Sequence, residues 1–330
     1  MASVNLLSEQ DLRACVALDA AAVDVVERAF LALATEAVAM PPILRLDIPQ
    51  CNGEVDVKTA YLPGFERFAI KVSPGFFDNP SLGLPSLNGM MMLLNARTGL
   101  LDALLLDNGF LTAVRTAAAG AVAARWLSRR DSTSVALIGA GEQAFLQLQA
   151  LSLVRPIQRV AIWARDAGKA QRLVDKAITG LGLDARLCRT IDEAMADADI
   201  AVTCTPSTEP LIQPGHLRPG LHITAMGSDA EHKNEIAPAV LAQVDRYVAD
   251  RLSQVNVLGE LHHALDAGTA PPETALAELG QVIAGQRPGR TTAMQVTLCD
   301  LTGTGAQDTA IANFAFQRAT QLGKGTAFSS

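Results

Sequence analysis

A glycine-rich turn at residues 139–144 combines residue types and spacing that point directly to chemistry. The apolar run 134–138 leads into Gly139-Ala140-Gly141-Glu142-Gln143-Ala144, and a helix-forming segment follows at once. Gly139 permits a tight turn, Gly141 lets the backbone approach a diphosphate, and Ala144 lets the helix pack against the strand. The free N–H groups and positive dipole end of that helix would face the diphosphate. With a second strand at 159–163, the pattern predicts a dinucleotide-binding βαβ unit.

The end of that second strand bears on which dinucleotide binds. NAD sites usually carry an acidic residue about 20 residues beyond the glycines, where it bonds the ribose 2′-hydroxyl. Here the corresponding position holds Ala164, followed by Arg165 and Asp166. A guanidinium is a natural partner for a 2′-phosphate, so the sequence favours NADP(H) over NAD(H). Two alternatives remain open: Asp166 could reach a ribose, or it could form a surface pair with Arg165.

Three cations lie in apolar surroundings upstream of the turn. Arg45 follows Pro-Pro-Ile-Leu, Lys71 lies within Phe-Ala-Ile-Lys-Val, and Arg115 belongs to an alanine-rich segment. A buried cation is costly unless it is paired, so the three could converge on a substrate carboxylate. Structural ion pairs with Asp102 or Asp107 are the alternative.

Composition excludes several classes of protein. The chain has 330 residues, 49% of them hydrophobic, and a net charge of −7, which argues against nucleic acid or an anionic membrane surface as partner. It has no apolar run of membrane-spanning length and no N-terminal signal pattern. Five widely spaced cysteines and five histidines without metal-ligand spacing indicate reduced thiols and no metal. We therefore expect a cytoplasmic protein.

The first hundred residues predict helices and an antiparallel sheet. Ser8 with Asp11 has the spacing of a capping box, and Asp19 can cap a second helix that runs to about residue 35. Apolar runs broken by turn residues then predict strands. These runs are 43–48, 54–61, 68–72, 89–94 and 100–106.

Beyond an alanine-rich helix at 111–127, strands and helices alternate, which implies a doubly wound parallel sheet. The predicted strands are 134–138, 159–163, 185–188, 199–204, 221–226, 244–249 and 293–298, with helices at 191–197 and 252–265. The predicted fold class is α/β, a Rossmann-type sheet plus an α+β substrate and dimerisation domain. The dinucleotide-binding domain would span 114–303. A helical tail at 306–322 would return to the first domain, which would comprise 1–113 and 304–330.

Four segments resemble the ornithine cyclodeaminase/mu-crystallin family, and the resemblance extends over essentially the whole chain. They are residues 111–118 (LTAVRTAA), 139–144 (GAGEQA), 224–229 (TAMGSD) and 296–303 (VTLCDLTG). Two further segments, 53–61 (GEVDVKTAY) and 85–89 (PSLNG), are similar to the ectoine-utilisation branch of EutC-like proteins. The resemblance implies an NAD(P)H-dependent imine reductase or cyclodeaminase, in ectoine catabolism for this branch. An ornithine cyclodeaminase or amino-acid dehydrogenase proper, and a non-catalytic NADP-binding protein like mu-crystallin, are the alternatives.

The resemblance also implies roles for individual residues. Arg45, Lys71, Arg115 and Ser86 would hold the substrate carboxylate, and Asp229 would handle the reacting nitrogen. The predicted catalytic residues are Asp229, Lys71 and Asp56, the last standing where the cyclodeaminases carry glutamate. The predicted cofactor contacts are Thr116, Gly139, Ala140, Gly141, Glu142, Gln143, Ala144, Arg165, Asp166, Thr203, Thr205, Met226 and Gly227.

Two further expectations concern Asp229 and Lys58. Asp229 follows a predicted strand, and ligands of doubly wound sheets bind beyond the carboxyl ends of strands. Its alternative role is to cap a helix that begins near Glu231. The family commonly has Met-Pro where this chain has Lys58-Thr59. This change adds a cation to the predicted substrate site and argues against ornithine as the substrate.

The strands between residues 43 and 106 also predict the oligomeric state. Long exposed strands are normally covered or paired, and the run 89–94 is apolar throughout. Together with the family resemblance, this run predicts a homodimer formed by the first domain.

Overall fold

The computed structural model describes residues 3–329. The chain divides into two compact units, and the boundary between them falls within a long helix, after Arg115. The first unit comprises the residues up to Arg115 together with those from Thr304 onward. The second unit is Thr116–Gly303.

The strands, in chain order, are β1 (Ser3–Ser8), β2 (Leu44–Ile48), β3 (Gly53–Ala60), β4 (Arg67–Phe76), β5 (Met90–Asn95), β6 (Leu101–Leu106), β7 (Ser134–Ile138), β8 (Arg159–Trp163), β9 (Asp184–Leu187), β10 (Ile200–Thr203), β11 (His222–Ala225), β12 (Arg246–Ala249), β13 (Leu276–Glu278), β14 (Thr297–Asp300) and β15 (Thr326–Ser329). The helices are α1 (Glu9–Cys15), α2 (Ala20–Thr35), α3 (Phe110–Leu127), α4 (Glu142–Ser152), α5 (Ala167–Leu181), α6 (Ile191–Met195), α7 (Pro238–Leu241), α8 (Leu252–Val255), α9 (Gly259–Asp266), α10 (Leu279–Ile283) and α11 (Gly305–Gln321). Short 3₁₀ turns occupy Pro49–Cys51, Asn79–Leu82, Pro214–His216 and Glu273–Ala275.

Local capping chemistry starts the first two helices where the sequence predicts them. The Ser8 hydroxyl accepts the backbone N–H of Asp11 at 3.2 Å, and the Asp11 carboxylate accepts the Ser8 N–H at 3.1 Å. The Asp19 carboxylate accepts the N–H of Ala22 at 2.9 Å and begins α2. Each cap satisfies N–H groups that lack a partner in the first turn of a helix.

Among the described residues, the first unit builds a seven-stranded sheet in the order β15-β1-β6-β5-β4-β3-β2. The sheet is mixed, whereas the sequence predicted an antiparallel one, because β1 pairs in parallel with β6. The remaining pairs are antiparallel. The inner face packs against α1, α2, α3 and α11. Its core includes Leu12, Ala69, Met91, Leu105 and Ile311.

The opposite face of β2–β6 is apolar, and we call it the outer face. Strand alternation and register place on it Leu44, Leu46, Val55, Val57, Phe68, Ile70, Val72, Met90, Met92, Leu94, Leu104 and Leu106. Leu44 and Leu46 are 61% and 55% exposed. A wide apolar sheet face of this kind is typical of a protein interface.

Helix α11 approaches β3 so closely that only glycine fits at its first residue. A Cβ on Gly305 would lie 2.3 Å from the Thr59 carbonyl oxygen. The Thr309 hydroxyl accepts the Ala69 N–H at 3.0 Å and donates to the Ala60 carbonyl at 2.7 Å. These contacts fix the first turn of α11 against two neighbouring strands.

The second unit contains, within the described residues, an eight-stranded sheet in the order β13-β12-β14-β11-β10-β7-β8-β9. Every strand pairing in this sheet, among the described residues, is parallel, which confirms the Rossmann-type prediction. The strand order reverses between β7 and β10, the position at which doubly wound sheets bind ligands. Strand β14, although late in the chain, lies between β11 and β12.

Two sequence predictions in this unit are wrong in detail. The strand predicted at 293–298 lies at Thr297–Asp300, because the Gln295 side chain accepts the N–H groups of Thr291 and Thr292 and forms a turn instead. The single helix predicted at 252–265 is split into α8 and α9 by Gly259, whose φ is +73°. None of the helices formed by residues 3–329 combines the length and hydropathy needed to cross a bilayer.

Candidate functional site

The turn after β7 has the geometry of a diphosphate cradle. Gly139 has φ +124°, and a Cβ there would lie 2.9 Å from the Cys204 carbonyl oxygen. A Cβ on Gly141 would meet no atom within 4 Å, so the space above this residue is open. Gly141 caps α4 without a side-chain hydrogen bond, which leaves the first N–H groups of this helix available to an anion. The residues therefore fit a dinucleotide diphosphate at 139–144.

Helix α4 is fixed by a buried glutamine. The Gln147 amide donates to the Thr116 carbonyl at 3.1 Å and to the Gln143 side chain at 3.1 Å. A Cβ on Gly120 would lie 2.0 Å from the Gln147 side-chain oxygen, so glycine is required at this point of α3. Thr116 thus contributes its backbone carbonyl to the support of the diphosphate turn.

At the end of β8, Arg165 and Asp166, the two residues considered for contacts with the ribose, have different environments. The Asp166 carboxylate accepts the Lys169 N–H at 2.9 Å and caps α5. Arg165 is exposed, and within the described part of the chain it forms no ion pair with Asp166. The alternative of an Arg165–Asp166 surface pair is therefore wrong. Because Asp166 is engaged as a cap, Arg165 is the residue at this edge that is available to a phosphate.

A buried glutamate that the sequence analysis did not single out connects the ends of β10 and β11. Glu235 accepts hydrogen bonds from the Thr203 hydroxyl at 2.7 Å, the Thr205 N–H at 2.6 Å and the Gly227 N–H at 2.8 Å. Burial raises the pKa of Glu235 above its ordinary value, and these hydrogen-bond donors only partly offset that effect. Thr203, Thr205 and Gly227, predicted as cofactor contacts, therefore meet around Glu235, while the neighbouring Met226 is buried.

Asp229 lies in an irregular loop beyond β11. Its carboxylate is 2.6 Å from the Lys233 ammonium, and its side chain is 47% exposed. No helix begins near Glu231 in the described structure, because the next helix along the chain is α7, at Pro238. The helix-cap alternative for Asp229 is therefore wrong. The Ser228 hydroxyl donates to the Lys233 carbonyl and closes the same loop.

Two further buried acids, Glu260 and Asp300, are hydrogen-bonded near the end of this loop. The Glu260 carboxylate accepts the N–H groups of Glu235 and Ile236 at 3.0 and 3.2 Å. Asp300 accepts the Tyr247 hydroxyl at 2.5 Å and the Glu260 N–H at 2.7 Å. Burial raises the pKa of Asp300 to about 7 and the pKa of Glu260 well above its usual value.

The raised pKa values of these acids predict that the free energy of unfolding decreases as the pH rises from 5 to 7. The folded pKa of Asp300 is above its unfolded value, so the folded state holds an extra proton in this window, and the free energy of unfolding falls with pH. Each such proton contributes a slope of up to about 1.4 kcal/mol per pH unit. Urea denaturation of wild type and Asp300→Asn at several pH values measures this slope. We expect a shallower slope for the variant, and equal slopes would contradict the assignment.

In the first unit, two of the predicted cations meet at a buried carboxylate. The Lys71 ammonium is 3.0 Å from one carboxylate oxygen of Asp308, and the Arg115 guanidinium is 3.0 Å from the other. The Gln307 side chain accepts from Arg115 at 3.3 Å. Lys58, directly opposite Lys71 in the β3–β4 register, is also buried.

Burial and the neighbouring charges have opposing effects on the pKa values of Lys71 and Asp308. Burial and, to a smaller extent, the neighbouring charges of Arg115 and Lys58 together lower the pKa of Lys71 to about 7, although Asp308 acts in the opposite direction. The pKa of Asp308 is lowered, because Lys71, Arg115 and Lys58 together outweigh its burial. Asp308 lies in the first turn of α11, where the helix dipole also favours a negative charge.

Arg45, the third predicted cation, is surrounded by acids. It is 2.9 Å from Asp47, contacts Glu54 and lies 3.7 Å from Asp56. Asp56 faces Arg45 in the β2–β3 register, two positions before Lys58 on the same face of β3. The structure therefore brings together Lys58, Lys71 and Arg115, and it places Arg45 and Asp56 in a neighbouring group.

Three other residues of the first unit were considered in the sequence analysis: Ser86, Asp102 and Asp107. Ser86 is half-buried in the loop before β5, where its carbonyl accepts the Phe76 N–H at 2.7 Å. The two acids considered as structural partners are bonded to other groups, although the charge of Lys71 also acts on Asp107. Asp102 pairs with Arg67 at 2.6 Å, and Asp107 accepts the Leu111 N–H at 2.8 Å. The partner of Lys71 and Arg115 is Asp308, which the sequence analysis missed.

A polar cavity of about 730 Å³ opens at the amino-terminal edge of the parallel sheet. Ser134, Arg159 and Asp184, the first residues of β7, β8 and β9, line it. The diphosphate cradle lies at the carboxyl ends of these strands. The cavity is therefore separate from the candidate site.

The family model of the ornithine cyclodeaminase/mu-crystallin family matches residues 4–323. An uncharacterized cyclodeaminase of Sinorhizobium fredii is 56% identical over 331 residues, which cover 100% of both chains. Solved structures are also similar to this chain over nearly its full length. They include an archaeal alanine dehydrogenase dimer with bound NAD (TM-score 0.92, 29% identity, 99% of each chain covered).

Two further solved structures are similar at full length. One is the Δ1-pyrroline-2-carboxylate reductase of Thermococcus litoralis with NADH and L-proline (TM-score 0.92, 29% identity, 98% of this chain and 99% of that chain covered). The other is the iminosuccinate reductase of Paracoccus denitrificans with NAD⁺ (TM-score 0.91, 30% identity, 100% of both chains covered).

Proposed function

The chain belongs to the ornithine cyclodeaminase/mu-crystallin family and is an NAD(P)-dependent enzyme; from this we propose that it reduces the imine of a small α-amino acid. The observation that carries the proposal is the buried cluster of Lys71 and Arg115 around Asp308. It supplies fixed positive charge for a substrate carboxylate, as orientation for hydride transfer requires.

The chemistry divides between the two units. In the first, Lys71 and Arg115 bind the substrate carboxylate and hold the substrate in one orientation. In the second, residues 139–144 bind the diphosphate of a nicotinamide coenzyme, which supplies the hydride. With the coenzyme bound, its hydride would add to the imine carbon, the C=N electron pair would move to nitrogen, and this nitrogen would gain one proton overall. Asp229 stabilises the protonated imine and relays the proton.

Lys58 favours imine reduction over ornithine cyclodeamination. The distal ammonium of a diamino acid would be repelled by Lys58 beside Lys71, because like charges at short range in a buried site are costly. We therefore propose the reductase as the main activity. The assignment to ectoine catabolism stays a prediction from the sequence.

A substrate panel tests the proposed function. The purified protein is incubated with NADPH or NADH and cyclic imino acids, or imines formed from 2-oxo acids and ammonia, and coenzyme oxidation is followed by absorbance. In parallel, L-ornithine, other diamino acids and ectoines are tested with oxidised coenzyme. We expect turnover of imino acids and slower turnover, or none, of diamino acids. Oxidation of no imino acid would overturn the proposal.

We propose a preference for NADP(H), since Arg165 is exposed at the end of β8 and Asp166 is engaged as a helix cap. Loss of a charge-assisted phosphate contact costs roughly 1.5–3 kcal/mol. Arg165→Ala should therefore weaken NADPH binding by this amount and leave NADH binding nearly unchanged. Arg159→Ala, at the opposite end of the same strand, is the matched control. Equal losses for both coenzymes in calorimetric titrations would refute the assignment.

We propose a homodimer in which a second copy covers the apolar outer face of the first unit. Ile70 is at its centre, between Thr59 and Met92 in the sheet register. Light scattering at micromolar concentration should give a dimer for the wild type and a monomer for Ile70→Glu, because a buried unpaired charge is costly. Leu153→Glu, at an exposed position of the second unit, should remain dimeric. A monomeric wild type would refute the proposal.

A further inference from the structure

Glu235 is a buried acid that the proposed mechanism does not use. It is 0% exposed and joins the segments that follow β10 and β11. One carboxylate oxygen accepts the Thr205 N–H at 2.6 Å and the Thr205 hydroxyl at 2.7 Å. The other accepts the Thr203 hydroxyl at 2.7 Å and the Gly227 N–H at 2.8 Å. Four donors therefore converge on the two oxygens, and such donors favour a charged carboxylate over a neutral carboxyl group.

The charge of Glu235 has no counter-ion within residues 3–329. The carboxylate forms no ion pair there, and the groups that lower its pKa are neutral hydrogen-bond donors. Lys233, two positions earlier in the chain, is bound by the Asp229 carboxylate at 2.6 Å. The neighbouring Glu260 and Asp300 are acids and supply no positive charge. A buried carboxylate without a counter-ion is costly, so a cationic group of a ligand nearby would stabilise it.

Contacts place this charge beside the diphosphate cradle. A Cβ on Gly139 would lie 3.0 Å from the Cys204 thiol and 3.2 Å from the Thr205 methyl group. Thr205 therefore lies between the cradle and Glu235. Burial and then the charge of Glu235 raise the pKa of the Cys204 thiol. The strand order is β11-β10-β7-β8, and the adenosine ribose of a dinucleotide is held at the end of β8. The nicotinamide half therefore extends the other way, over the ends of β10 and β11.

We infer that the buried negative charge of Glu235 stabilises the oxidised coenzyme relative to the reduced coenzyme. A nicotinamide ring is neutral when reduced, and it gains one positive charge when it gives up a hydride. A fixed carboxylate in a buried site attracts the cationic ring and has little effect on the neutral ring. The same attraction favours hydride transfer to an imine, because the positive charge develops on the ring during that step. The inference rests on coenzyme binding and holds for any imine substrate.

Calorimetric titrations measure the effect as a ratio, the Kd of the reduced coenzyme divided by the Kd of the oxidised coenzyme. They are made at pH 8, because burial raises the pKa of Glu235 and a higher pH favours its charged form. Glu235→Gln removes the charge, keeps the shape of the side chain and should lower the ratio roughly tenfold. Glu235→Asp keeps the charge but shortens the reach to the donors. Both affinities should then fall, while the ratio stays within about threefold of the wild type.

Glu209→Gln is the matched control, because it makes the same charge change at an exposed position of the segment after β10. Solvent and salt screen an exposed charge, so the ratio should not change. The wild type alone gives a second measurement that does not depend on the folding of any variant. It should bind the oxidised coenzyme at least as tightly as the reduced coenzyme.

Two results would overturn the inference and leave the proposed imine reduction intact. One is tighter binding of the reduced coenzyme by the wild type, and the other is the same ratio in the wild type and in Glu235→Gln. Binding of neither coenzyme by the wild type would overturn both this inference and the proposed function.

Discussion

Asp229→Asn should lower kcat by about 10²- to 10⁴-fold while folding and coenzyme binding persist. Asparagine has the shape of aspartate but carries no charge and cannot relay a proton. The side chain is half-exposed and pairs with Lys233, an i,i+4 contact worth less than about 1 kcal/mol to stability. Rapid mixing of substrate with excess coenzyme would show whether the chemical step itself has slowed.

A second variant separates the proton-relay role from loss of the ion pair. Lys233→Met removes the same contact and keeps the Asp229 carboxylate. We expect its kcat to remain within about tenfold of the wild type, because a positioned acid or base contributes more than this on its own. If Asp229→Asn and Lys233→Met lose activity equally, the contact rather than the carboxylate matters. Near-normal turnover of Asp229→Asn would remove this residue from the mechanism.

Asp308→Asn should destabilise the protein by about 3–5 kcal/mol, because it leaves Lys71 and Arg115 buried without their shared carboxylate. The double variant Lys71→Met/Asp308→Asn should recover part of this loss, since one uncompensated charge is removed with its partner. Urea denaturation at pH 7 measures both effects.

The matched control is Asp102→Asn, which breaks the partly exposed pair with Arg67 in the same unit. Its cost should be below about 1 kcal/mol. The single variant Asp308→Asn should also gain stability as the pH rises above 7. Its folded Lys71 has a pKa below the unfolded value, so the folded state holds fewer protons in that window. Similar losses for the two single variants would contradict the buried-cluster account.

The sequence predicted the features that depend on short stretches of chain. The caps at Ser8 and Asp19 and the turn at Gly139 each depend on residues within a few positions, and the structure has all three. The insertion of β14 between β11 and β12 was not predictable in this way. It depends on pairing between strands about 50 residues or more apart in the chain, which local patterns do not encode.

Because local patterns do not encode contacts between distant parts of the chain, the sequence analysis also missed the site residues Asp308 and Glu235. Asp308 is 237 positions from Lys71 and Glu235 is 32 positions from Thr203, so no local spacing connects either pair. Asp308 did offer one signal, because an acid in the first turn of a helix that follows a Thr-Gly start is a typical N-terminal residue. The sequence also grouped Arg45 with the other cations by hydrophobic context. Strand register instead places it opposite Asp56.

The most direct test of imine reduction is to follow the hydride itself. The coenzyme is deuterated at the transferable position of its nicotinamide, and the amino acid formed from an imino acid is examined by mass spectrometry and NMR. The account predicts one deuterium per product molecule, located at the α-carbon, together with one oxidised coenzyme. Product without deuterium at the α-carbon, or no product while the coenzyme binds, would contradict it.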